Sequence, residues 1–457
     1  MGLAILALLL GLSVYLFVTG KQVPSIMIFT FFITEGFQIV PANISSVSFF
    51  DFALAYVVII CIIMGIKDRG FFALNDTLSK LVVLLLAYLV FEFILTVVTE
   101  AESTDLASKV LRRYSFIGLF FVIRSIKPQR ITAITNFLYA LTTITLVIYL
   151  AQIALKEQIL TGTVEGIDAT LGGAESRYRN TPFLFEFCLF LTLFYPGLKK
   201  YRIPLTVLFL AGLIAPLNRG PIIAFVVVMV AYYVLEGKVG ALFKYALIAI
   251  GVGFLAWPIL ARRFSKENTG SDVKSSLQLR SYKNFNTSGG GTFEFRLLLL
   301  EERFDYLVAH PEYLATGVGM RHEDSKNTFN KFHFYLGAIK ATPSGGAEDK
   351  KVIQQIETSD MVWATPLLRF GFIGVGLYLL IFVYLLMFFF KRRKEPLATV
   401  GLLLVAMNLF NSLATDVLMR PYSFFLVFLL YAYALRAKTF TFNITKQVPP
   451  VVPNPAI

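Results

Sequence analysis

Residues 262–362, which begin RRFSKENTGSDVKSSLQLR and end KKVIQQIETSDMV, form the long polar stretch of this 457-residue chain. They are followed directly by WATPLLRFGFIGVGLYLLIFVYLLMFFF at 363–390, an apolar run long enough to cross a bilayer. Similar apolar runs, joined by short polar connections, fill most of the remaining chain. This contrast predicts a bundle of membrane-spanning helices that carries one large polar loop.

The composition, 56% hydrophobic and 16% charged, differs from that of soluble globular domains. The apolar runs are continuous, not alternating, which favours helices over a transmembrane barrel. Much of the net charge of +13 falls in short connections between spans, where Lys and Arg orient a membrane protein, so no nucleic-acid partner is expected. Cys61 and Cys188 lie inside apolar runs, so no disulfide framework is expected.

The predicted fold is an all-α polytopic membrane protein of about 12–13 transmembrane helices with one large extracytoplasmic loop containing short helices. The expected division is helices in 1–261, the loop in 262–362, further helices in 363–437 and a tail in 438–457. The predicted spans are 2–19, 23–40, 49–66, 80–99, 106–125, 132–154, 181–198, 201–217, 220–236, 240–261, 363–390, 396–415 and 420–437.

Connections rich in Lys and Arg alternate along the chain with acidic or neutral ones. By the positive-inside rule the basic side is cytoplasmic, which places the large loop outside and the tail inside. Within the loop, 292–309 is predicted to form an amphipathic helix, because apolar side chains recur every three or four residues: Phe293, Leu297, Leu300 and Phe304. Arg296 and Arg303 flank this stripe, and Pro311 with the Gly317-Val318-Gly319 turn ends the helix.

Seven arginines are predicted to lie near the outer membrane surface and to bind a shared anion: Arg112, Arg113, Arg177, Arg179, Arg219, Arg296 and Arg321. An Arg at the bilayer centre costs about 2.5–3.5 kcal/mol, so each needs a partner. Guanidinium forks match phosphate oxygens, and a lipid diphosphate lies at this depth. The alternatives are contacts with headgroups, ordinary solvated loop charges at 177 and 179, or ion pairs of Arg112 and Arg113 with a nearby carboxylate (Glu100, Glu102 or Asp105).

Asp360, where the loop re-enters the membrane, is the predicted catalytic base, and His310 is a second catalytic candidate. The alternative for Asp360 is a helix N-cap, and a lone loop histidine is more often a surface or capping residue. The spacing of His310, His322 and His333 fits no usual zinc motif, so no metal site and no cofactor are expected.

Six further charges fall within or beside predicted spans: Glu35, Asp51, Glu92, Glu186, Arg369 and Asp416. They are compatible with an ion or proton path in a transporter, such as a lipid-linked glycan flippase. Interhelical ion pairs, for example one made by Arg369, would satisfy them without transport. A flippase is expected to hold its charges midway through the bilayer between pseudo-repeats, whereas the predicted arginines cluster at one face, which favours an enzyme.

Three stretches together resemble the bacterial O-antigen ligase and O-antigen polymerase superfamily. Leu217-Asn218-Arg219-Gly220-Pro221 is similar to the Ser-Arg-Gly turn of that family, with Asn replacing Ser; Phe295-Arg296, His310-Pro311 and Gly317-Val318-Gly319 resemble its loop helix and Gly-x-Gly ending; and Gly371-Phe372-Ile373-Gly374 begins the next span. With Arg179-Asn180-Thr181-Pro182, the resemblance covers roughly 175–390. The signature His of the ligases is replaced by Asp360, which favours a polymerase.

The resemblance implies a metal-independent glycosyltransferase in the bacterial inner membrane, with a cytoplasmic C-terminus. Its partners would be an undecaprenyl-diphosphate-linked glycan donor, a glycan acceptor and the lipid bilayer, with a chain-length regulator as one further candidate. Arginines would bind the donor diphosphate while a base, Asp360, activates an acceptor sugar hydroxyl. An O-antigen ligase or a protein O-oligosaccharyltransferase that uses the same donor is the alternative within this class.

Overall fold

The computed structural model describes residues 2–41, 47–99, 102–162, 164–167, 176–178, 181–216, 218–238, 292–337, 339–341, 351–353, 355–358 and 361–436, with isolated positions between 240 and 282. Fifteen α-helices are named here in chain order: α1 Gly2–Val18, α2 Gln22–Ile33, α3 Phe49–Lys67, α4 Thr77–Thr99, α5 Thr104–Ser115, α6 Leu119–Arg124, α7 Pro128–Leu155, α8 Phe185–Phe194, α9 Arg202–Ile214, α10 Arg219–Leu235, α11 Thr292–Ala309, α12 Lys326–Lys331, α13 Ala364–Lys391, α14 Pro396–Asn411 and α15 Pro421–Arg436.

Two short antiparallel hairpins and several 3₁₀ turns accompany the helices. Strands β1 (Val164–Ile167) and β2 (Ser176–Tyr178) form one hairpin, and β3 (Ile339–Ala341) and β4 (Lys351–Ile353) form the other. The 3₁₀ turns are Gly36–Gln38, Phe116–Gly118, Pro196–Tyr201, Pro311–Tyr313 and Val417–Met419. The described part of the chain is therefore predominantly helical.

Four of the described helices, α3, α4, α7 and α13, are long and apolar enough to cross a membrane. Shorter apolar helices are α1, α2, α8, α10, α14 and α15. Large apolar side chains remain exposed on several of them, among them Ile66 (81%) on α3 and Val98 (75%) on α4. Exposed apolar side chains on helices of this length are typical of a membrane protein, as the composition predicts.

The predicted fifth span, 106–125, is divided by a 3₁₀ turn into two helices. Residues 104–115 make the amphipathic helix α5, capped by Ser103, whose hydroxyl accepts a hydrogen bond from the Leu106 amide at 3.2 Å. Lys109, Arg112 and Arg113 occupy its exposed face. Only the 3₁₀ turn and α6 that follow are apolar, and they are buried within the protein. Arg112 pairs with Asp51 at the start of α3, and Arg124 pairs with Asp76 beyond the other end of α3, so the divided segment still runs from one end of the bundle to the other.

Most other predicted spans correspond to helices, with shifted ends. The predicted span at 23–40 stops at Ile33, because Glu35, Phe37 and Gln38 have positive φ angles. The predicted span at 181–198 is a ten-residue helix, α8, followed by a 3₁₀ turn. The predicted loop helix at 292–309 has the bounds of α11. Most of the predicted span at 240–261, and the tail at 438–457, lie outside the described residues.

Polar side chains join the first three helices where they cross. The Ser25 hydroxyl donates to the Ser13 carbonyl at 2.7 Å and lies 2.8 Å from the Tyr56 hydroxyl. Ser13, Ser25 and Tyr56 are all fully buried. Hydrogen bonds between small hydroxyl residues allow helices to approach closely where the hydrophobic effect gives no preference for protein over lipid.

Helix α13 is broken at Gly371, which has φ 55° and ψ −160°. The segment after the Pro311–Tyr313 turn fills the break: the Val318 and Gly319 amides donate to the carbonyls of Leu368 and Arg369, each at 2.9 Å. In the opposite direction, the Phe372 and Ile373 amides donate to the Leu314 and Ala315 carbonyls, each at 3.1 Å. The break deprives these amides and carbonyls of their usual hydrogen-bond partners within the helix. The contacts supply new partners, which buried backbone groups in an apolar bundle require.

Glycines make this contact possible, because the two backbones touch. A Cβ on Gly371 would lie 2.5 Å from the Ala315 carbonyl oxygen, and one on Gly317 would lie 2.4 Å from the Arg369 carbonyl. Gly319, at φ 80°, lies against Thr96 of α4, whose hydroxyl accepts a hydrogen bond from the Met320 amide at 2.8 Å. The Gly-x-Gly and Gly-x-x-Gly stretches of the sequence are thus two sides of one interface.

Replacing Gly371 by Ala should destabilise the protein, because the new methyl group would overlap the Ala315 carbonyl. A positive φ alone costs a non-glycine residue about 1–3 kcal/mol, and the overlap adds to that cost. Gly376→Ala is the matched control, since it lies in the same helix and a Cβ there meets nothing within 4 Å. Thermal unfolding in detergent should show a clear loss of Tm for Gly371→Ala only; equal Tm values for both variants would contradict this account.

Candidate functional site

Three neighbouring cavities, of about 350, 200 and 250 Å³, meet at Asp416. We name this set the Asp416 groove. Its walls come from one end of the bundle: the end of α2, the start of α3, the end of α5, the starts of α8, α10, α13 and α15, and the turn after α14. Because consecutive helices run in opposite directions, residues distant in sequence converge at this end.

The first and third cavities are lined by arginines. Arg112, Arg113 and Arg420 line the first cavity, beside Glu35 and Asp51. Arg113 and Arg369 line the third cavity, beside Glu357. The second cavity is also lined by Arg420, but most of its polar lining consists of amides, hydroxyls and carboxyls: Glu186, Asn218, Asn411, Thr415, Asp416 and Tyr422.

One carboxylate connects two arginines from different helices. Glu357 accepts from Arg113 of α5 at 3.0 Å and from Arg369 of α13 at 2.9 Å. Arg369 is 1% exposed and also donates to the Arg321 carbonyl at 3.0 Å. Burial by itself raises the pKa of Glu357, but the guanidinium groups of Arg369 and Arg113 outweigh it and lower the pKa to about 2. The carboxylate is therefore ionised and holds the third cavity in shape.

The other groove arginines also have carboxylate partners but remain accessible. Arg112 contacts Asp51 at 2.8 Å, with their side chains 43% and 27% exposed. Arg420 contacts Asp416 at 3.0 Å, with exposures of 44% and 30%. Exposed ion pairs of this kind contribute little stability and exchange readily for another anion. A ligand with phosphate oxygens can therefore compete for these guanidinium groups.

The ion pairs expected for α5 are different from those observed. Of the predicted partners, Glu102 accepts from the Ser325 hydroxyl at 2.8 Å and Asp105 pairs with Lys109 at 2.8 Å. Glu100 lies outside the described residues. Arg369 pairs with a loop carboxylate, Glu357, and not with another span.

The remaining predicted arginines lie in different surroundings. Arg219 is half-buried at the first position of α10, between Asn218 and Pro221, which line the second cavity. Arg296 is half-buried on α11. Arg321 is 2% exposed, donates to the Val318 carbonyl at 3.2 Å and packs on the Phe332 ring, so its position is that of a packing residue.

Several predicted site residues are not among the residues that the structure describes. Asp360, Arg179 and the side chain of Arg177 lie outside the described residues; the Arg177 backbone pairs with Gly166 in the β1–β2 hairpin.

His310 stacks on Tyr306 at 4.2 Å, and its Nδ1 donates to the Tyr306 carbonyl at 2.8 Å. These contacts stabilise the end of α11, and His310 does not line the three cavities. Among the described residues no group of three or more His, Cys, Asp or Glu could hold a metal ion.

The sequence did not identify the residues that connect the walls of the groove. Asp416 and Arg369 were visible only as isolated charges near span ends, and Glu357 and Arg420 carried no signal. Arg113 and Glu357 are separated by 244 positions, so their pairing depends on the fold. The one local clue is that Asp416 and Arg420 follow the apolar run of α14 with a spacing of four residues.

Comparison with known proteins gives no assignment: no protein-family model and no curated protein matches this sequence.

Replacing Glu357 by Gln should lower stability at neutral pH, because buried Arg369 loses its counter-charge. The pKa of Glu357 falls from its ordinary value of 4.5 to about 2 on folding. A lowered pKa stabilises the fold above the unfolded value, by up to about 3 kcal/mol, and this contribution disappears as the pH falls through the folded value.

The Tm difference between wild type and Glu357→Gln should therefore be largest above pH 4.5 and shrink toward pH 2. Asp105→Asn is the control, since its exposed pair with Lys109 should add little at any of these values. A Tm difference that stays constant across this pH window would show that the ion pairs do not act as described.

Proposed function

We propose that this protein is a membrane glycan polymerase, which transfers a glycan from an undecaprenyl-diphosphate donor to a sugar hydroxyl of a lipid-linked acceptor. The observation that carries the proposal is the set of arginines lining the Asp416 groove: Arg112, Arg113, Arg369 and Arg420. The side chains of Arg112, Arg113 and Arg420 are 43%, 53% and 44% exposed, so they can contact a ligand in the groove. A diphosphate is the polyanion that several guanidinium forks bind well.

The division of the groove supports a reaction between two substrates. The arginine-lined first and third cavities suit the diphosphate of the donor. The second cavity suits a sugar, because amides, hydroxyls and a carboxyl can hydrogen-bond to its hydroxyl groups, and the stacked rings of Phe183 and Tyr422 lie 5.0 Å apart in its wall. Asp416 lines both sides, where the two substrates would meet.

The proposed reaction is a displacement at the anomeric carbon of the donor. The acceptor hydroxyl oxygen forms a bond to this carbon while the bond from the carbon to the phosphate oxygen breaks. The electron pair leaves with undecaprenyl diphosphate, and guanidinium groups stabilise its growing charge. The hydroxyl proton passes to a carboxylate. Guanidinium groups can neutralise the leaving diphosphate, so the scheme requires no metal.

Two carboxylates are candidates for the base. Asp360 is the candidate that the sequence suggests. Asp416 is the candidate that the groove suggests, because it lines all three cavities with a side chain that is 30% exposed. Arg420 at 3.0 Å orients its carboxylate. We propose Asp416 as the first choice and Asp360 as the second.

The proposed location is a bacterial inner membrane with the groove on its outer face and the C-terminus in the cytoplasm. The opposite helix ends support this sidedness, because they carry basic residues: Lys67, Arg124, Arg130, Lys238, Arg392 and Arg393. Asp360 in place of the signature His of the ligases favours a polymerase over a ligase or a protein O-oligosaccharyltransferase. A chain-length regulator is a further proposed partner.

The position of the groove also favours an enzyme over a lipid-linked glycan flippase. The charges that line the groove belong to helix ends and to the turns between helices. A transporter of the alternating-access kind is expected to hold its substrate near the bilayer midplane. Transfer between two substrates at one membrane surface needs no such central site.

Transfer should fall by about 100-fold or more when one diphosphate-binding arginine is removed, because a charge that stabilises the leaving group is lost. The variants are Arg112→Ala and Arg420→Ala, which line the groove, and Arg219→Ala and Arg296→Ala, which the sequence predicts to bind the diphosphate. Each is assayed as purified protein with lipid-linked repeat units. Lys109→Ala is the matched control, since Lys109 is a half-exposed cation on α5 that does not line the three cavities. Near wild-type transfer by Arg112→Ala and Arg420→Ala would remove the groove from the mechanism.

The assay should contain a single donor species. A lengthened glycan then identifies a polymerase. If the glycan is not lengthened but an added lipid or protein acceptor is glycosylated, the protein is a ligase or an oligosaccharyltransferase.

Asp416→Asn should lower the transfer rate strongly while preserving donor binding, because the amide keeps the shape of the side chain but cannot accept the proton. Asp360→Asn is measured in parallel, with single-turnover rates and Tm recorded for both. A rate loss confined to Asp360→Asn would reverse our order of the two candidates. Unchanged rates for both variants would show that neither carboxylate is the base.

A further inference from the structure

Helix α11 exposes large apolar side chains on one face and buries charged side chains, together with leucines, on the other. On the buried face Glu294 and Glu302 are each 3% exposed and Arg303 is 0% exposed, beside the buried leucines Leu298, Leu299 and Leu307. The exposed face carries the large apolar side chains: Phe293 is 45%, Phe304 42% and Val308 53% exposed. In water the face of a helix that points away from the core carries polar side chains, so an exposed face of large apolar side chains indicates a different surrounding medium.

The buried face is held firmly, so the helix cannot rotate to hide its apolar side. Arg303 donates to Glu302 at 2.5 Å and to the Gln355 carbonyl at 3.3 Å, and lies 4.4 Å from the Phe334 ring centre. Glu302 also accepts hydrogen bonds from the amides of Tyr335 and Leu336. The exposure of Phe293, Phe304 and Val308 is therefore a fixed property of the folded chain.

The apolar stripe continues onto a helix that is long and apolar enough to span a membrane. The Phe304 ring lies 6.1 Å from the Phe372 ring of α13. Phe372 and its neighbour Ile373 are 46% and 48% exposed. The roughly 20 residues from Phe372 to the basic end of α13 at Lys391 cover about 30 Å, the thickness of the hydrocarbon core. A hydrocarbon core matched to this stretch has one boundary near Phe372, where α11 contacts α13.

We infer that α11 lies along the surface of the bilayer, with Phe293, Phe304 and Val308 inserted among the lipid acyl chains. Interfacial helices insert their apolar face about 5–10 Å into the region between headgroups and acyl chains. Asp305, exposed beside the stripe, then faces the headgroups and water. The apolar stripe of α11 is continuous with the exposed apolar face of α13, and a membrane span is surrounded by lipid. Lipid is therefore a better occupant of the stripe than a second copy of the protein.

This placement rests on the apolar helices and not on the proposed transfer reaction. It adds one consequence for that reaction: Arg296, three residues after Phe293 on the same helix, is brought to the depth of lipid phosphates. A failure of the lipid contact would leave the groove and its chemistry unchanged. Inactivity of the groove variants would leave the lipid contact unchanged.

The test places tryptophan at two exposed aromatic positions, one on the apolar stripe of α11 and one in the segment that contacts its buried face. Phe304→Trp reports on the apolar stripe, and Tyr335→Trp is the matched control, because Tyr335 is 60% exposed and its amide donates to Glu302 on the buried face. Each variant is reconstituted into nanodiscs whose phospholipids are brominated near the top of the acyl chains. The fluorescence of the two native tryptophans, measured in the parent protein, is subtracted. Phe293→Trp gives a second reading of the stripe if Phe304→Trp does not fold.

We expect bromolipid to quench the new indole of Phe304→Trp at least about twofold more than that of Tyr335→Trp, as for a side chain at the acyl boundary. Aqueous iodide should quench the two variants in the reverse order. Equal iodide quenching of both variants would overturn the inference by placing the stripe in water. Protection of the Phe304→Trp indole from iodide without bromolipid quenching would also overturn it, because a protein surface and not lipid would then cover the stripe.

Discussion

The contact between the 314–319 segment and the break in α13 is the constraint on which the other features of this structure depend. Four backbone hydrogen bonds cross it, and the two chains approach so closely that Gly317 and Gly371 leave no room for a Cβ. An apolar bundle tolerates a broken helix only if other protein groups satisfy the freed amides and carbonyls. The segment supplies them, and in doing so it ties the region that contains α11 to the start of α13.

This contact also fixes the electrostatics of the groove. The break places Arg369 between the Arg321 carbonyl and Glu357, and Glu357 in turn reaches Arg113 on α5. Glu357 thus neutralises the buried Arg369 with one carboxylate oxygen and binds the exposed Arg113 with the other. The largely buried pair of Arg369 and Glu357 gives rigidity, whereas the exposed pairs at Asp51 and Asp416 leave guanidinium groups available to an anion.

The same contact sets the position of α11 relative to the bundle. Because α11 packs against α13 near the break, its apolar side becomes continuous with the exposed apolar face of the span. On its other side, Arg303 and Glu302 pair with each other inside the protein. Exposed apolar side chains and buried, paired charges thus occur on the same helix.

The sequence by itself determined the helical class, the approximate position of most described apolar helices and the bounds of α11, because hydrophobic runs and their periodicity are local properties. It also marked Arg112, Arg113 and Arg219 as arginines near one membrane surface. It did not show that residues 104–115 form a separate amphipathic helix, since the apolar run after them concealed the boundary. Only the tertiary structure decided that Arg112 pairs with Asp51, 61 positions away, that Arg113 pairs with Glu357, and that Asp416 stands where three cavities meet. The reason is physical: ion pairs and cavities depend on which helix ends converge, and the packing of the whole bundle sets that convergence.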